Sequence, residues 1–270
     1  MTGRILDALC RSCGAVCAAV SAEEAAEYLL PGKTTPDGNT VIVAAVPYFA
    51  GIRPGTVSLY ARGRDYHRVL RELFSDAVRS SGGDVNAVKF FADVSPFREV
   101  SLCSAAGLGR VGENGLLLTE PYGSFVFLGE ICGDFDGTVT PLRTPVPCDR
   151  CGACRASCPT GGRGCLSEIT QRRGELTEAE RLLMRRYHTA WGCDVCQIVC
   201  PANKNAQKTK LPAFCGEFVD DFDWGAIRDL SNGAVERMYA DRAFVWRGGG
   251  VIKRNAGILS DEGSEPPDRS

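Results

Sequence analysis

Two cysteine runs limit what this chain can fold into more than any other feature. The first reads PCDRCGACRASCPTGGRGC and the second GCDVCQIVCP. Together they hold Cys148, Cys151, Cys154, Cys158, Cys165, Cys193, Cys196 and Cys200. The spacing C-x2-C-x2-C-x3-C-P is the bacterial pattern for cubane iron–sulfur clusters. Three closely spaced thiolates on short loops converge on one face of a cube, and only a distant segment supplies the fourth corner. Cys148, Cys151 and Cys154 therefore take Cys200, the Cys-Pro of the second run. Cys158, the Cys-Pro of the first run, joins Cys193 and Cys196, and Cys165 is the nearby cysteine that completes this set. Two four-cysteine sets predict two [4Fe–4S] clusters. A zinc ribbon shows two C-x-x-C pairs instead of three evenly spaced cysteines followed by Cys-Pro.

Fourteen cysteines in 270 residues would suit an oxidised secreted protein only behind a signal peptide. The N-terminus, MTGRILDALCRSCG, has no basic segment followed by an apolar one. The longest apolar run, VIVAAV at 41–46, is far too short to span a bilayer. A cytoplasmic chain with reduced thiols and no membrane contact is expected. The net charge of −2 and pI of about 5.8 give no overall bias toward nucleic acid.

The remaining segments alternate strands and helices, which predicts an α+β layered fold. Residues 3–20 read as a helix, with Cys10, Cys13 and Cys17 on one stripe as small buried residues in preference to a third metal site. VIVAAVPYF at 41–49 reads as a buried strand. A helix from Asp65 ends at Gly82 or Gly83, with Arg62, Arg64, Tyr66 and His67 at its start. The arginines there suit either an anion or a solvated basic turn. AVKFFAD at 87–93 is a strand that ends on Asp93, SPFREVSLCSAAG is helical up to Gly107, and GLLLT and SFVFLGEIC are strands. GLGRVG at 107–112 fits a dinucleotide fingerprint only in letters, because it follows a helix and precedes a strand. Thr177 and Glu180 form a capping box on a helix between the cysteine runs, and His188 near its end is a capping or surface residue. WGAIRDL, AVERMYADRAF and VIKRNAGIL form a small helical region, and the tail SDEGSEPPDRS is too polar to fold.

The segments VIVAAVPY, ARGRDYH, FADVSPFREVSLCSAAGLGRVGENGLLL, EPYGSFVFLGEI, CDRCGACRASCPTG, GCDVCQIVCP and RAFVWRGGGVIKRNAGIL, with the lone Cys165, resemble the cobalamin-dependent epoxyqueuosine reductases. The resemblance covers roughly residues 40–258. It implies a nitroreductase-like α/β domain holding a base-off cobalamin over residues 1–140. A ferredoxin-like double-cluster domain would follow over 141–210, then a helical region over 211–259 and a disordered tail over 260–270. It implies a short member without the C-terminal helical-repeat domain that full-length members carry.

Electrons would pass from an external low-potential donor through both clusters to cobalt, which acts on an epoxide in the wobble nucleoside of a tRNA. Asp93 matches the aspartate that supplies the proton. Arg64, Tyr66, His67, Ser95, Gly112, Asn114, Gly123 and Ser124 match positions around the cofactor. From the residues alone, Asp93 reads as the N-cap of the helix after it, or as a carboxyl with a raised pKa facing an apolar pocket. Two positions depart from the family pattern: Glu113 stands where lysine is usual, and Val100 where arginine is common. Both remove positive charge, which favours a smaller substrate, or a ferredoxin-like carrier with a degenerate cofactor domain, as alternatives to tRNA.

Overall fold

The computed structural model describes residues 1–260; the tail beyond lies outside the described residues. The chain divides into two compact units that interleave in sequence. The first comprises Met1–Ala50, His67–Gly152 and Cys200–Cys215. The second comprises Gly51–Tyr66, Ala153–Val199 and the chain from Gly216 onward. The division falls inside the first cysteine run.

The first unit is built on a four-stranded antiparallel sheet. Its strands are β1 (Val16–Ser21), β2 (Thr40–Pro47), β3 (Lys89–Ala92) and, later in the chain, Val126–Gly133, in the order β1-β2-(126–133)-β3. Every residue of β2 is buried, so its near-continuous apolar run reflects cover on both faces. Helix α1 (Thr2–Cys13), the short α2 (Ala22–Ala25), α3 (Tyr66–Ser80) and α4 (Glu99–Ala105) frame the sheet. Val41, Val43 and Ala45 pack with Phe97, Leu102 and Cys103 of the α4 region. Ile42, Ala44 and Val46 point the other way, because strand side chains alternate. Phe74 of α3 rests against Gly129, where an added Cβ would lie 2.8 Å from its ring. A hairpin of β4 (Arg110–Val111) and β5 (Leu117–Leu118) follows α4. With Val126–Gly133 as β6, the strand β7 (Val146–Pro147) pairs parallel to β4 and delivers the chain to Cys148.

The helix predicted over 3–20 is wrong in its second half. Gly14 adopts the left-handed conformation (φ 69°), and its N–H closes the last turn on the Cys10 carbonyl. Residues 16–21 then form β1, because the VCAAV run finds a ladder on β2. The three cysteines consequently share no stripe: Cys10 is exposed, Cys13 is buried and Cys17 lies on β1. The strands of the sheet are otherwise where the sequence put them. GLGRVG does run from α4 into β4.

The second unit is mainly helical. Its core gathers Val57, Trp191, Phe222, Ile227, Val235, Phe244 and Ile252. Helices α5 (Ala153–Ala156), α6 (Leu166–Gln171), α7 (Glu178–Arg186) and α8 (Val195–Ile198) carry or flank the cysteines. Helices Trp224–Ile227, Asn232–Met238 and Gly249–Ser260 complete it, the last reaching one residue further than expected. The capping box of α7 forms as expected: Thr177 accepts the Glu180 N–H, and Glu180 accepts the Thr177 N–H. Asn255, fully buried, ties the last helix to the unit by donating to the Thr170 and Ala190 carbonyls, each at 2.7 Å. His188 is exposed, as expected.

Candidate functional site

All fourteen cysteines are free thiols, so no disulfide framework exists. Among the described residues no group of three or more His, Cys, Asp or Glu closes tightly enough to hold one metal ion. Four of the predicted ligands lie in the second unit as a set: Cys158, Cys165, Cys193 and Cys196. Cys165 precedes α6, Cys193 precedes α8 and Cys196 lies in α8. Burial pushes the Cys193 thiol up to about 11, and neighbouring Cys165 and Cys196 add to the rise. The lone Cys165 is thus brought beside the second run. Cys158 sits differently: hydrogen bonding to Thr160, with the backbone N–H groups of Thr160, Gly161 and Gly162 converging, lowers its thiol below the usual range. That lowering favours the thiolate, the form that binds metal.

Of the other set, Cys148, Cys151 and Cys200 belong to the first unit and Cys154, in α5, to the second. The Cys148 N–H donates to the Val111 carbonyl at 2.9 Å, which fixes the run to the small sheet. A residue that sequence reasoning missed anchors the second run. Asp194, half-buried between Cys193 and α8, accepts from Ser58 Oγ and, at 2.8 Å, from the Leu59 N–H. Its neighbour Cys193 was the only signal pointing to it.

Asp93 follows β3 in the left-handed conformation, with φ of 67°. Aspartate is among the few residues other than glycine that enter this region with some ease. Its side chain is 64% exposed, and His67 Nε2 stands 3.6 Å from its carboxylate. The N-cap reading is incorrect: Arg98 is the N-cap of α4, and no side chain caps that end. The buried-carboxyl reading needs correcting as well. Asp93 is open to solvent, while a cavity of about 160 Å³ walled by Phe74, Phe90, Phe91, Ala92 and Val94 lies alongside, with His67 at its edge.

The arginine cluster is not a free anion site. Arg62 is buried, donating to the Val57, Arg53 and Pro54 carbonyls and to Asp220. Arg64 pairs with Asp241 at 2.8 Å, and Tyr66 meets Tyr60 edge to face. Ser95 is buried and its Oγ accepts the Phe97 N–H. Gly112 and Asn114 make the β4–β5 turn, where Asn114 Oδ1 accepts the Leu116 N–H. Asn114 Nδ2 is buried without a partner, a donor in want of an acceptor. Gly123 and Ser124 are latched by Asn203, which sequence reasoning missed: its Oδ1 accepts the Ser124 N–H at 2.7 Å and its Nδ2 donates to Ser124 Oγ at 2.8 Å.

Gly123 has φ of 60°, and an added Cβ would lie 2.1 Å from Asn203 Oδ1. Gly123→Ala is therefore expected to cost about 2–5 kcal/mol, combining left-handed strain with the loss of a buried hydrogen bond. Thermal unfolding checks this, and an unchanged Tm would contradict the latch.

Both groups implied by the sequence can be tested against these residues. Eight free cysteines on short turns suit thiolate-bound iron. The orphan Asn114 donor suits an oxygen-rich ligand such as a corrinoid carrying carboxamides. No helix among the described residues is long and apolar enough to cross a membrane.

Comparison with known proteins follows the same lines. Residues 29–93 match the family described as epoxyqueuosine reductase QueG, DUF1730. The chain is 32% identical to the epoxyqueuosine reductase of Lactococcus garvieae over 85% of its own length and 70% of that protein. It is 35% identical to that of Escherichia coli over 65% of its length and 51% of that protein. The chain thus spans about half to 70% of these relatives. The solved epoxyqueuosine reductase of Streptococcus thermophilus shares the fold, with TM-score 0.76 and 22% identity over 96% of this chain and 79% of that one. Another, solved with an epoxyqueuosine-modified tRNA-Tyr stem loop, gives TM-score 0.70 and 24% identity over 90% and 76%. On the extent and identity of the Lactococcus match, this chain belongs to the epoxyqueuosine reductase family.

Proposed function

We propose that the chain is an iron–sulfur oxidoreductase that reduces an epoxide in a tRNA-borne nucleoside, as its family does. The observation that carries this reading is the cysteine set of the second unit, in which Cys165, at the end of the first run, stands beside Cys193 and Cys196 of the second. Cys148, Cys151, Cys154 and Cys200 would hold one [4Fe–4S] cluster, and Cys158, Cys165, Cys193 and Cys196 the other. Residues 1–140 would form the nitroreductase-like cofactor domain, 141–210 the ferredoxin-like one and 211–259 the helical region. An external low-potential donor feeds the clusters. When bound, a corrinoid supplies the low-valent metal centre that delivers electrons to the epoxide.

The chain's own residues do the rest. An epoxide oxygen that gains electron density becomes an alkoxide, too basic to persist without a proton. Asp93, exposed at the end of β3, supplies that proton from its carboxyl. His67 at 3.6 Å steadies the carboxylate left behind. Asn114 and the Gly112 turn line the cofactor side, with Ser95, Gly123 and Ser124 shaping the backbone around them. Arg64 and Tyr66 hold the segment that leads into α3. The tRNA partner is supported by the family and by the stem loop bound to the solved relative.

Anaerobic protein titrated with cob(II)alamin tests the cofactor. The EPR spectrum of cobalt is expected to change on binding. An unperturbed spectrum would overturn the corrinoid assignment.

A further inference from the structure

The chain has six lysines, and three of them, Lys204, Lys208 and Lys210, fall on one loop of the first unit. No acid lies between Asp194 and Glu217, so this stretch is locally basic in a chain whose net charge is −2. All three lysines are exposed, and none of their ammonium groups has an ion pair among the described residues. Lys89 differs: it pairs with Asp37 at 2.8 Å. Glu120, the acid nearest to the loop's anchor on Pro121, is exposed and pairs with none of the three.

A basic run on a loose loop is an ordinary solvated face, but this loop is fixed at three points. Asn203 latches it to Ser124 through two hydrogen bonds. The Gln207 N–H donates to the Pro121 carbonyl at 3.0 Å, and the Thr209 N–H to the Phe49 carbonyl at 2.7 Å. Thr209 and Leu211 are buried, and the Leu211 N–H donates to Thr209 Oγ1 at 3.1 Å. Lys208 and Lys210 are thus presented outward on a held backbone, which cuts the ordering cost of any contact they make. The anchors also place the loop. Phe49 follows β2, and Pro121 and Ser124 precede β6. Pro47 of β2 pairs with Val126 of β6, and Ala92 of β3 pairs with Gly129. Because β3 runs antiparallel to β6, it delivers Asp93 to the same end of the sheet as the lysine loop.

We propose that Lys204, Lys208 and Lys210 form a phosphate-binding track for the RNA strand whose nucleoside reaches Asp93. The proposal rests on the reading of the chain as a reductase of a tRNA-borne epoxide. Ammonium groups are point charges on flexible stems, so they follow phosphates without demanding one geometry. Such contacts fix the register and orientation of a nucleic acid and read no sequence. The track supplies, at the end of the sheet where the acid stands, positive charge that Glu113 and Val100 do not provide. An acidic electron carrier would also be drawn to three lysines just past Cys200. The sheet end that they share with Asp93 favours the RNA.

Anaerobic, cluster-loaded protein is titrated by fluorescence anisotropy with a tRNA-Tyr anticodon stem loop carrying epoxyqueuosine, over a series of salt concentrations. Replacing all three lysines by alanine is expected to lower the slope of log affinity against log salt by about 2, about 0.7 for each lysine. At about 0.1 M salt the stem loop should bind about tenfold more weakly, or worse. Each single variant should take its own share of the slope, which keeps the test open if the triple variant is unstable. Lys89→Ala, which removes a paired charge from the other end of β3, should leave the slope unchanged. With dithionite as reductant, the triple variant should show a raised KM with kcat within about twofold. Wild-type affinity and slope in the triple variant would overturn the track alone. Unchanged RNA binding with lost reduction by an acidic flavin or iron–sulfur carrier would overturn it and assign the loop to the electron donor. A wild-type protein that bound no stem loop would overturn both the track and the tRNA reading.

Discussion

Cys165→Ala, purified anaerobically, is expected to retain about four of eight irons per chain and one cluster signal by EPR. The reasoning starts from count and position. Cys165 closes the first run, well before the second in sequence, yet it stands beside Cys193 and Cys196, where its charge raises the Cys193 thiol. Alanine removes one corner of that set and leaves Cys148, Cys151, Cys154 and Cys200 untouched. Loss from one side only is therefore expected, and Cys158→Ala should reproduce it. Cys10→Ala, altering an exposed thiol on α1, should retain all the iron. Retention of all eight irons in Cys165→Ala would refute the ligand sets.

Asp93→Asn is expected to lower epoxide reduction by about 10²- to 10⁴-fold, the range for removing a positioned acid. Asparagine is the right substitute because it tolerates the left-handed region about as well as aspartate. The turn at φ 67° should persist, so cluster content and cobalamin binding should stay at wild-type levels. Single-turnover reduction of epoxyqueuosine in tRNA by pre-reduced protein reads the chemical step directly. Retained activity would rule out Asp93 as the required acid and direct attention to His67.

The sheet and its flanking helices were legible because their signals are local. The VIVAAV run could only be a strand covered on both faces, and the Thr177–Glu180 box marked its helix start. The helix over 3–20 failed at Gly14, where the φ of one residue outweighed a plausible stripe. The pairing of Arg62 and Arg64 with Asp220 and Asp241 was hidden, because the acids lie far along the chain. A basic cluster that read equally as an anion site or a solvated turn is a loop clasp. Asn203 and Asp194 were passed over for the same reason: each satisfies backbone groups contributed by another segment.

What the sequence alone determined is the ligand inventory on which the proposed cluster chemistry rests. Eight cysteines at cubane spacing can be read from the chain itself, because residue identity and loop length are covalent facts. Only the tertiary structure decided the acid–base side. Asp93 gained its left-handed turn, its exposure and its histidine neighbour from the end of β3. Glu99 of α4 came to bear on the titration of buried Glu130 of β6 only when those elements packed together. Their separation in sequence carries no hint of this, because a pKa is set by burial and by nearby charge, and both are properties of the fold.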